Sequence, residues 1–439
     1  MDPFLLGFAS LVLIVILIYA GVYVGIALAA VSFVGVWILK GDPAIAVSLL
    51  TLAVNDAIKS YDFASIPTFV LMGLIVGKTG MGKDIYDVAF QLFARVRGGL
   101  GITTVVANTA FAAVTGSSIA SASVFTRVSV PEMIRFNYSK RFAVGVVAGS
   151  SVLGMLIPPS VMLIIYAFVA EQSVGDMFLA GVVPGLLLAA AFIVAIIAMT
   201  YLTPQFIGTG AVATNRQDDI PTLPLGALIA KALPLVLLIV IVLGGIYSGI
   251  VTASEAGAAG AFVAFLIGLQ RRLSLAAFKE LLIDTGHITA SILFLIMAAT
   301  MYSRMLGIAG LPSMLSAWLS DSSISFFWLM AIYVVLLLFL GTIIDTSSII
   351  LICAPLFMKA VEEFGYSLVW FGIITVVGAE IGLLTPPFGI SCFVIRAALD
   401  RSDISLADVF RGAFPFAVVM LGVLILLIIF PVLSTGLLK

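Results

Sequence analysis

Charge is scarce in this sequence: 10% of its 439 residues are Asp, Glu, Lys or Arg, where an ordinary soluble domain carries about 25%. Hydrophobic residues make up 62%, and mean hydropathy is +1.28. A soluble globule is therefore excluded. The few charges nearly cancel, at a formal net −1, so no basic face exists to attract nucleic acid. Cysteine and histidine are nearly absent as well. Cys353 and Cys392 lie in apolar sequence without the CxxC spacing of a redox or metal pair, and read as packing residues. The single histidine, His287, opens an apolar run with no second ligand near it and reads as a helix-end residue. One histidine leaves no Ser/His/Asp set and no transition-metal set, so the chain is not expected to be an enzyme or to hold a cofactor. A phosphate loop is missing too: Gly77-Lys78-Thr79 lacks the upstream glycine and closes an apolar span. Met1-Asp2-Pro3 lacks the basic start of a signal peptide and no cleavage site follows, so the first apolar run is expected to be kept as a span.

What the chain has instead is long apolar runs. Residues 5–39, 179–202, 230–250, 326–344 and 414–431 reach or exceed the roughly 18–20 residues that cross a bilayer core. The expected fold class is an all-α polytopic membrane protein with about 11–13 helices, surrounded by lipid. Residues 4–39 suffice for two spans divided near Ala20-Gly21; Lys40–Pro43 reads as a turn, and 66–79 as a further span. Residues 44–60 are mildly amphipathic and carry Asn55, Asp56 and Lys59. Residues 83–97 place Ile85, Val88, Ala89, Leu92, Phe93 and Val96 at helical spacing with charges opposite, the pattern of a surface or bracing helix. Their expected counterpart is 271–284, with Leu275, Phe278, Leu281 and Leu282 on one side; 286–320 finds no counterpart. A polar loop, 203–224, divides an N-terminal repeat (1–202) from a C-terminal one (225–439). Basic residues cluster in 78–97, 127–141 and 271–279, and inverted repeats would put the two amphipathic helices on opposite faces, so charge counting does not fix the orientation.

Two stretches look like copies of one another. Residues 149–160 and 378–389 each place a glycine four residues before a proline pair: Gly154 before Pro158-Pro159, and Gly382 before Pro386-Pro387. Upstream of each lies a second polar break in apolar sequence, 115–118 (Thr115-Gly116-Ser117-Ser118) and 341–348 (Gly341-Thr342 through Asp345-Thr346-Ser347-Ser348). Pro158 and Pro386 are 228 residues apart (386 − 158), and that shift lays Ser117 on Asp345 and Ser118 on Thr346. Two breaks in matching order in each half is the pattern of an internal repeat with discontinuous helices, which in secondary transporters mark a midplane site.

The residue types suggest how that site works. A proline pair removes two backbone donors and disfavours helix at Ile157 and Thr385, so fresh helix N-termini are expected near Ser160 and Phe388. Free N–H groups and the positive dipole end suit an anion there. Ser150, Ser151, Pro158, Pro159, Ser160, Thr385, Pro386 and Pro387 are the candidate substrate-binding residues on these stretches. Glu380 and Arg396 are candidates beside them, each with a second reading: a helix-packing ion pair for Glu380, and a side chain reaching the interface for Arg396. The upstream breaks suit a cation instead. Hydroxyls beside glycine-loosened backbone are hard oxygen ligands, and Asp345 adds a carboxylate at membrane depth, where burial is so unfavourable that function is the default reading. Thr115, Gly116, Ser117, Ser118, Gly341, Thr342, Asp345, Thr346 and Ser347 form the candidate cation set. A proline kink or a small-residue string such as 116–123 also serves plain helix packing; recurrence of both features in order is what favours function. Arg304 and Asp56 read as structural.

The sequence resembles the large membrane subunit of tripartite ATP-independent periplasmic (TRAP) transporters over almost its whole length. The resemblance is carried by Ile66-Pro-Thr-Phe-Val-Leu-Met-Gly73, Arg97-Gly-Gly99, Phe111-Ala-Ala-Val-Thr-Gly-Ser-Ser118, Pro131-Glu-Met133 and Gly154-Met-Leu-Ile-Pro-Pro-Ser160, and by Ala180-Gly-Val-Val-Pro-Gly185, Asp345-Thr-Ser-Ser348 and Leu384-Thr-Pro-Pro-Phe-Gly389. Thr115 stands where the family often has serine, and the hydroxyl is kept. The resemblance implies an elevator-type secondary transporter with two inverted repeats and re-entrant hairpins, in a bacterial or archaeal inner membrane. It implies a sodium gradient driving import of an organic acid, with sodium at the 116–118 and 341–346 breaks and the substrate carboxylate between the two hairpin-like regions. It also implies two partners: a small four-helix membrane subunit, expected to be separate here, and a periplasmic substrate-binding protein. Competing readings are a stand-alone ion-coupled anion carrier, a subunit of a membrane complex in which Asp345 and Glu380 relay protons, and a membrane-embedded hydrolase. Transport by the chain alone would favour the first. Sodium-independent function lost in Asp345→Asn would favour the second.

Overall fold

The computed structural model describes residues 3–209, 223–321, 325–399, 401 and 403–438. Most of the polar inter-repeat loop therefore lies outside the described residues. In hydrocarbon a backbone must satisfy its own polar groups, and among the described residues every regular element is helical.

The first half runs α1 (Pro3–Tyr19), α2 (Val24–Lys40), α3 (Pro43–Lys59), a short 3-10 turn (Tyr61–Ala64), α4 (Ser65–Lys78) and α5 (Met81–Phe93). It continues with α6 (Gly99–Thr115), α7 (Ser118–Arg135), α8 (Lys140–Ser151), α9 (Leu153–Leu156), α10 (Val161–Val169), α11 (Val174–Leu202) and α12 (Pro204–Ile207). The second half runs α13 (Leu225–Ile239), a π turn (Val240–Gly244), α14 (Gly245–Tyr247), α15 (Ala253–Gln270), α16 (Leu275–Ala309), α17 (Leu311–Asp321) and α18 (Phe326–Gly341). Then follow α19 (Thr346–Glu363), α20 (Leu368–Gly382), α21 (Ile390–Ala398), α22 (Leu406–Ile429) and α23 (Val432–Thr435). Among the described residues six helices are long and apolar enough to cross a membrane alone, and α8–α9 with α10 makes a seventh bent by 44°. α6 and α18, of 17 and 16 residues, are about 25 Å long and stop short of a full crossing. Both end at the polar breaks.

The shift of 228 residues organises the whole chain. It carries α7 onto α19 end to end, α6 onto α18, α8 onto α20, α10 onto α21 and α11 onto α22, within a few residues. Packing follows the same rule with the halves exchanged: α7 lies on α21 as α10 lies on α19, α8 on α22 as α20 on α11, and α2 on α16 as α15 on α4. A contact that recurs with its partners swapped is what a two-fold relation between the halves produces.

This register corrects the pairing of the amphipathic segments. Residues 271–284 are not a separate helix: Arg271 and Arg272 (φ 61) form the turn, and Leu275 starts a helix of 35 residues. In the repeat register that helix matches α3 plus α4, while the counterpart of α5 is α17, inside the stretch for which sequence offered no match. The reason is local. Pro67 in the first turn of α4 cannot continue a helix from α3, whereas the residue 228 positions later is Leu295, and α16 runs through. His287 accordingly lies exposed in the interior of α16, not at a helix end. Asp56 and Arg304 pair with each other, consistent with structural roles. α5 buries Met81, Ile85, Tyr86 and Ala89 and is tied to the second half through Asp84, which pairs with Arg271 and Lys231.

Candidate substrate and cation site

In each half the two breaks meet. α6 ends at Gly116, whose φ of +59 is the left-handed conformation that glycine adopts most readily. A Cβ there would lie 2.4 Å from the Pro159 carbonyl oxygen, so the 115–118 break is laid directly on the first proline pair. From the other side Gly154 backs onto the same break: its Cβ would lie 2.8 Å from the carbonyl of Ser117. Ser117 caps α7, accepting from the Ala120 N–H at 3.3 Å. Ser118 is fully buried with its hydroxyl unpartnered, while Thr115, also buried, donates to the Phe111 carbonyl at 3.0 Å.

The second half repeats this with different side chains. Gly341 and Gly382 press backbone on backbone, a Cβ on Gly382 falling 2.4 Å from the Gly341 Cα. The Gly154 position is thus echoed by Gly382, the residue 228 positions later. Asp345 takes the capping role of Ser117: half-buried, it accepts from the Ser348 N–H at 3.2 Å and from the hydroxyls of Ser347 and Ser348. Thr346, the first residue of α19, donates to Glu380 Oε1 at 2.7 Å. Thr342 is half-buried and donates to the Phe339 carbonyl. Glu380 therefore bonds to a break residue, and among the described residues it makes no helix-packing ion pair, its second reading.

The proline pairs differ in surroundings. Pro158, Pro159 and Ser160 are buried, and Ser160 caps α10 by accepting from the Leu163 N–H at 3.3 Å. Pro386 and Pro387 are exposed, and Thr385, half-buried, donates to the Ile381 carbonyl at 2.9 Å. The new helices start at Val161 and Ile390, one and two residues beyond the expected points. Thr385 and Pro386 line a cavity of about 340 Å³ with Phe410, Arg411 and Phe414 of α22. Arg396 is half-buried in the last turn of α21.

Ser150 is buried on α8 and receives a hydrogen bond from Asn108 Nδ2 at 2.6 Å; Ser151, also buried, donates to the Ala148 carbonyl. Asn108 went unnoticed at the level of sequence. It is fully buried on α6, and its Oδ1 has no partner. The signal was available, since an amide in the middle of an apolar 17-residue helix is costly unless satisfied. The polar bridge between the equivalent helices α18 and α20, Tyr333 to Thr375 at 2.8 Å, was likewise missed. Ser391, on the first turn of α21, is a further buried hydroxyl without a partner.

A profile of the family described as "Tripartite ATP-independent periplasmic transporter, DctM component" matches residues 11–433. The C4-dicarboxylate TRAP transporter large permease protein DctM of Pseudomonas aeruginosa is 33% identical, with 88% of each chain covered. The sialic acid TRAP transporter large permease protein SiaM of Vibrio cholerae is 30% identical, with 94% of each covered. Among solved structures, the YdaH transporter of Alcanivorax borkumensis superposes with a TM-score of 0.63 over 90% of both chains at 15% identity, a likeness of fold.

Proposed function

The chain belongs to the DctM family of tripartite ATP-independent periplasmic transporters, and from that membership we propose that it imports an organic acid on a sodium gradient. It is a permease subunit of the inner membrane and not an enzyme. Relatives are named for C4-dicarboxylates, sialic acid and 2,3-diketo-L-gulonate, which are carboxylates, and for isethionate, a sulfonate, so a small organic acid is the substrate class, with a carboxylate the form most of these relatives share. The observation that carries the reading is the meeting of two breaks in each half, Gly116 on Pro159 and Gly341 on Gly382. Close backbone approach at a helix break leaves carbonyls and hydroxyls as ligands at membrane depth, where unsatisfied backbone is otherwise unfavourable.

On this reading sodium binds at 115–118 and 341–347, and the carboxylate of the substrate lies between the starts of α10 and α21, with Asn108 and Ser150 on one side. Sodium binding orders the breaks first, and the anion binds afterwards; coupling is the extra affinity of sodium for the loaded state. The repeats are inverted in the membrane and the proline-pair regions move together, elevator-fashion, against a frame that includes α5 and its ion pairs to Lys231 and Arg271. A small membrane subunit and a periplasmic binding protein complete the transporter. The isethionate TRAP transporter permease protein DctMQ of Oleidesulfovibrio alaskensis is longer than this chain, which spans 64% of it.

The test is uptake into proteoliposomes containing this chain and its small subunit, with a binding protein and a labelled carboxylate, with and without an inward sodium gradient. Uptake that needs both sodium and the binding protein is expected. Uptake without the binding protein would point to a stand-alone carrier. Sodium-independent uptake lost in Asp345→Asn would replace sodium coupling with proton relay.

A further inference from the structure

Glu380 is the one carboxylate among the described residues that is buried, at 1% exposure. It stands on α20 two residues before Gly382, which is pressed against the end of α18 at Gly341. Its Oε1 accepts the Thr346 hydroxyl, and its Oε2 is enclosed without any hydrogen-bond partner. Among the described residues no basic side chain is ion-paired with it. A charged carboxylate in that state is unfavourable unless a positive charge arrives beside it.

The bonding of its neighbours says where that charge goes. Thr346 donates its hydroxyl hydrogen bond to Glu380, which turns the hydroxyl lone pairs away from the carboxylate and leaves them free for a hard cation. The start of α19 is a poor place for a cation, because the dipole end there is positive. A full negative charge at the break offsets this. Asp345 is already committed to the Ser348 N–H and to two hydroxyls as the cap of α19. Glu380 is not so committed.

We propose that Glu380 is the buried counter-charge of the cation site at the Gly341–Thr346 break and its positioning residue, acting through Thr346, and that it does not touch the substrate. The inference rests on the sodium-coupled reading above. It assigns the anionic partner of that site to a helix 34 residues away in sequence, and it explains why an acid is buried beside the path of an acidic substrate. Once the cation is bound the pair presents no net negative charge to the incoming anion.

The test is the thermal unfolding midpoint of the purified full chain with its small subunit, titrated with sodium chloride against choline chloride at constant ionic strength. In the wild type the midpoint should rise with sodium. Glu380→Gln keeps the shape and a hydrogen-bond acceptor but removes the charge. It should raise the midpoint in the absence of sodium and shift the half-saturating sodium concentration upward by about 10- to 100-fold. An unchanged half-saturating concentration in Glu380→Gln would overturn the proposal while leaving sodium coupling intact. A wild-type chain that does not respond to sodium would remove the sodium-coupled reading and this inference with it. Should Glu380→Gln not fold, Thr346→Val breaks the same bond from its other end. It should weaken sodium to a similar degree, with Thr346→Ser restoring it, and an unaltered sodium response in Thr346→Val would refute the proposal.

Discussion

Replacing Gly116 by alanine tests the meeting of the two breaks in the first half. Two costs combine at this position. The φ of +59 is unfavourable for any residue with a Cβ, by roughly 1–2 kcal/mol. The added methyl group would also lie 2.4 Å from the Pro159 carbonyl oxygen, with 3.4 Å to its carbon, so one segment must retreat by about 1 Å; overpacking of this kind costs about 1–3 kcal/mol. The expected total is about 2–5 kcal/mol. Gly41→Ala supplies the reference, because Gly41 has a similar φ of +72 and nothing within 4 Å of its Cβ position. It should show the first cost alone. The assay pairs thermal unfolding of the purified protein with proteoliposome uptake. Gly116→Ala should unfold well below Gly41→Ala and lose uptake by at least about ten-fold, since a displacement near 1 Å spoils the geometry of a binding constellation. Gly41→Ala should transport like the wild type. Equal unfolding midpoints for the two variants, with uptake kept in Gly116→Ala, would refute the close approach of Gly116 to Pro159.

Two other consequences are open to measurement. Asn108→Leu removes a buried amide whose Oδ1 has no partner, so stability should stay within about 1.5 kcal/mol of the wild type or rise, while uptake falls; unaltered uptake would reduce Asn108 to a packing residue. Asp403, beyond α21, is held by Lys140 at 2.7 Å and then by Arg401, and its carboxyl is lowered from 3.8 to about 2. A lowered value means the contact contributes fully above the ordinary carboxylate range, and that contribution is lost as pH falls from about 4 to about 2. The midpoint difference between wild type and Asp403→Asn should therefore be constant between about pH 5 and 8, and a drift across that interval would contradict the assignment.

Composition and periodicity alone determined that the chain is helical and lives in a membrane, because no other backbone arrangement of such apolar sequence satisfies its polar groups in lipid, short of a barrel. The breaks were legible for a similar reason: Gly116, the two proline pairs and Asp345 are residues whose backbone or charge cannot pass unnoticed in a hydrocarbon-depth helix. The repeat distance was readable as well, since Pro-Pro recurs at a fixed spacing. Partnership was not. Whether α3 and α4 are one helix or two turned on Pro67 against Leu295, and the counterpart of α5 was hidden until the long α16 set the register. Asn108 and Ser150 share no local pattern, being 42 residues apart, and meet only because α6 packs on α8. The division of labour between two acids was decided last: Asp345 is turned to its own helix by three short-range donors, and Glu380 reaches Thr346 only because Gly341 and Gly382 bring two backbones into contact. Local chemistry fixes where a helix must break, while which broken ends face each other depends on packing between segments far apart in sequence, and that information exists only in three dimensions.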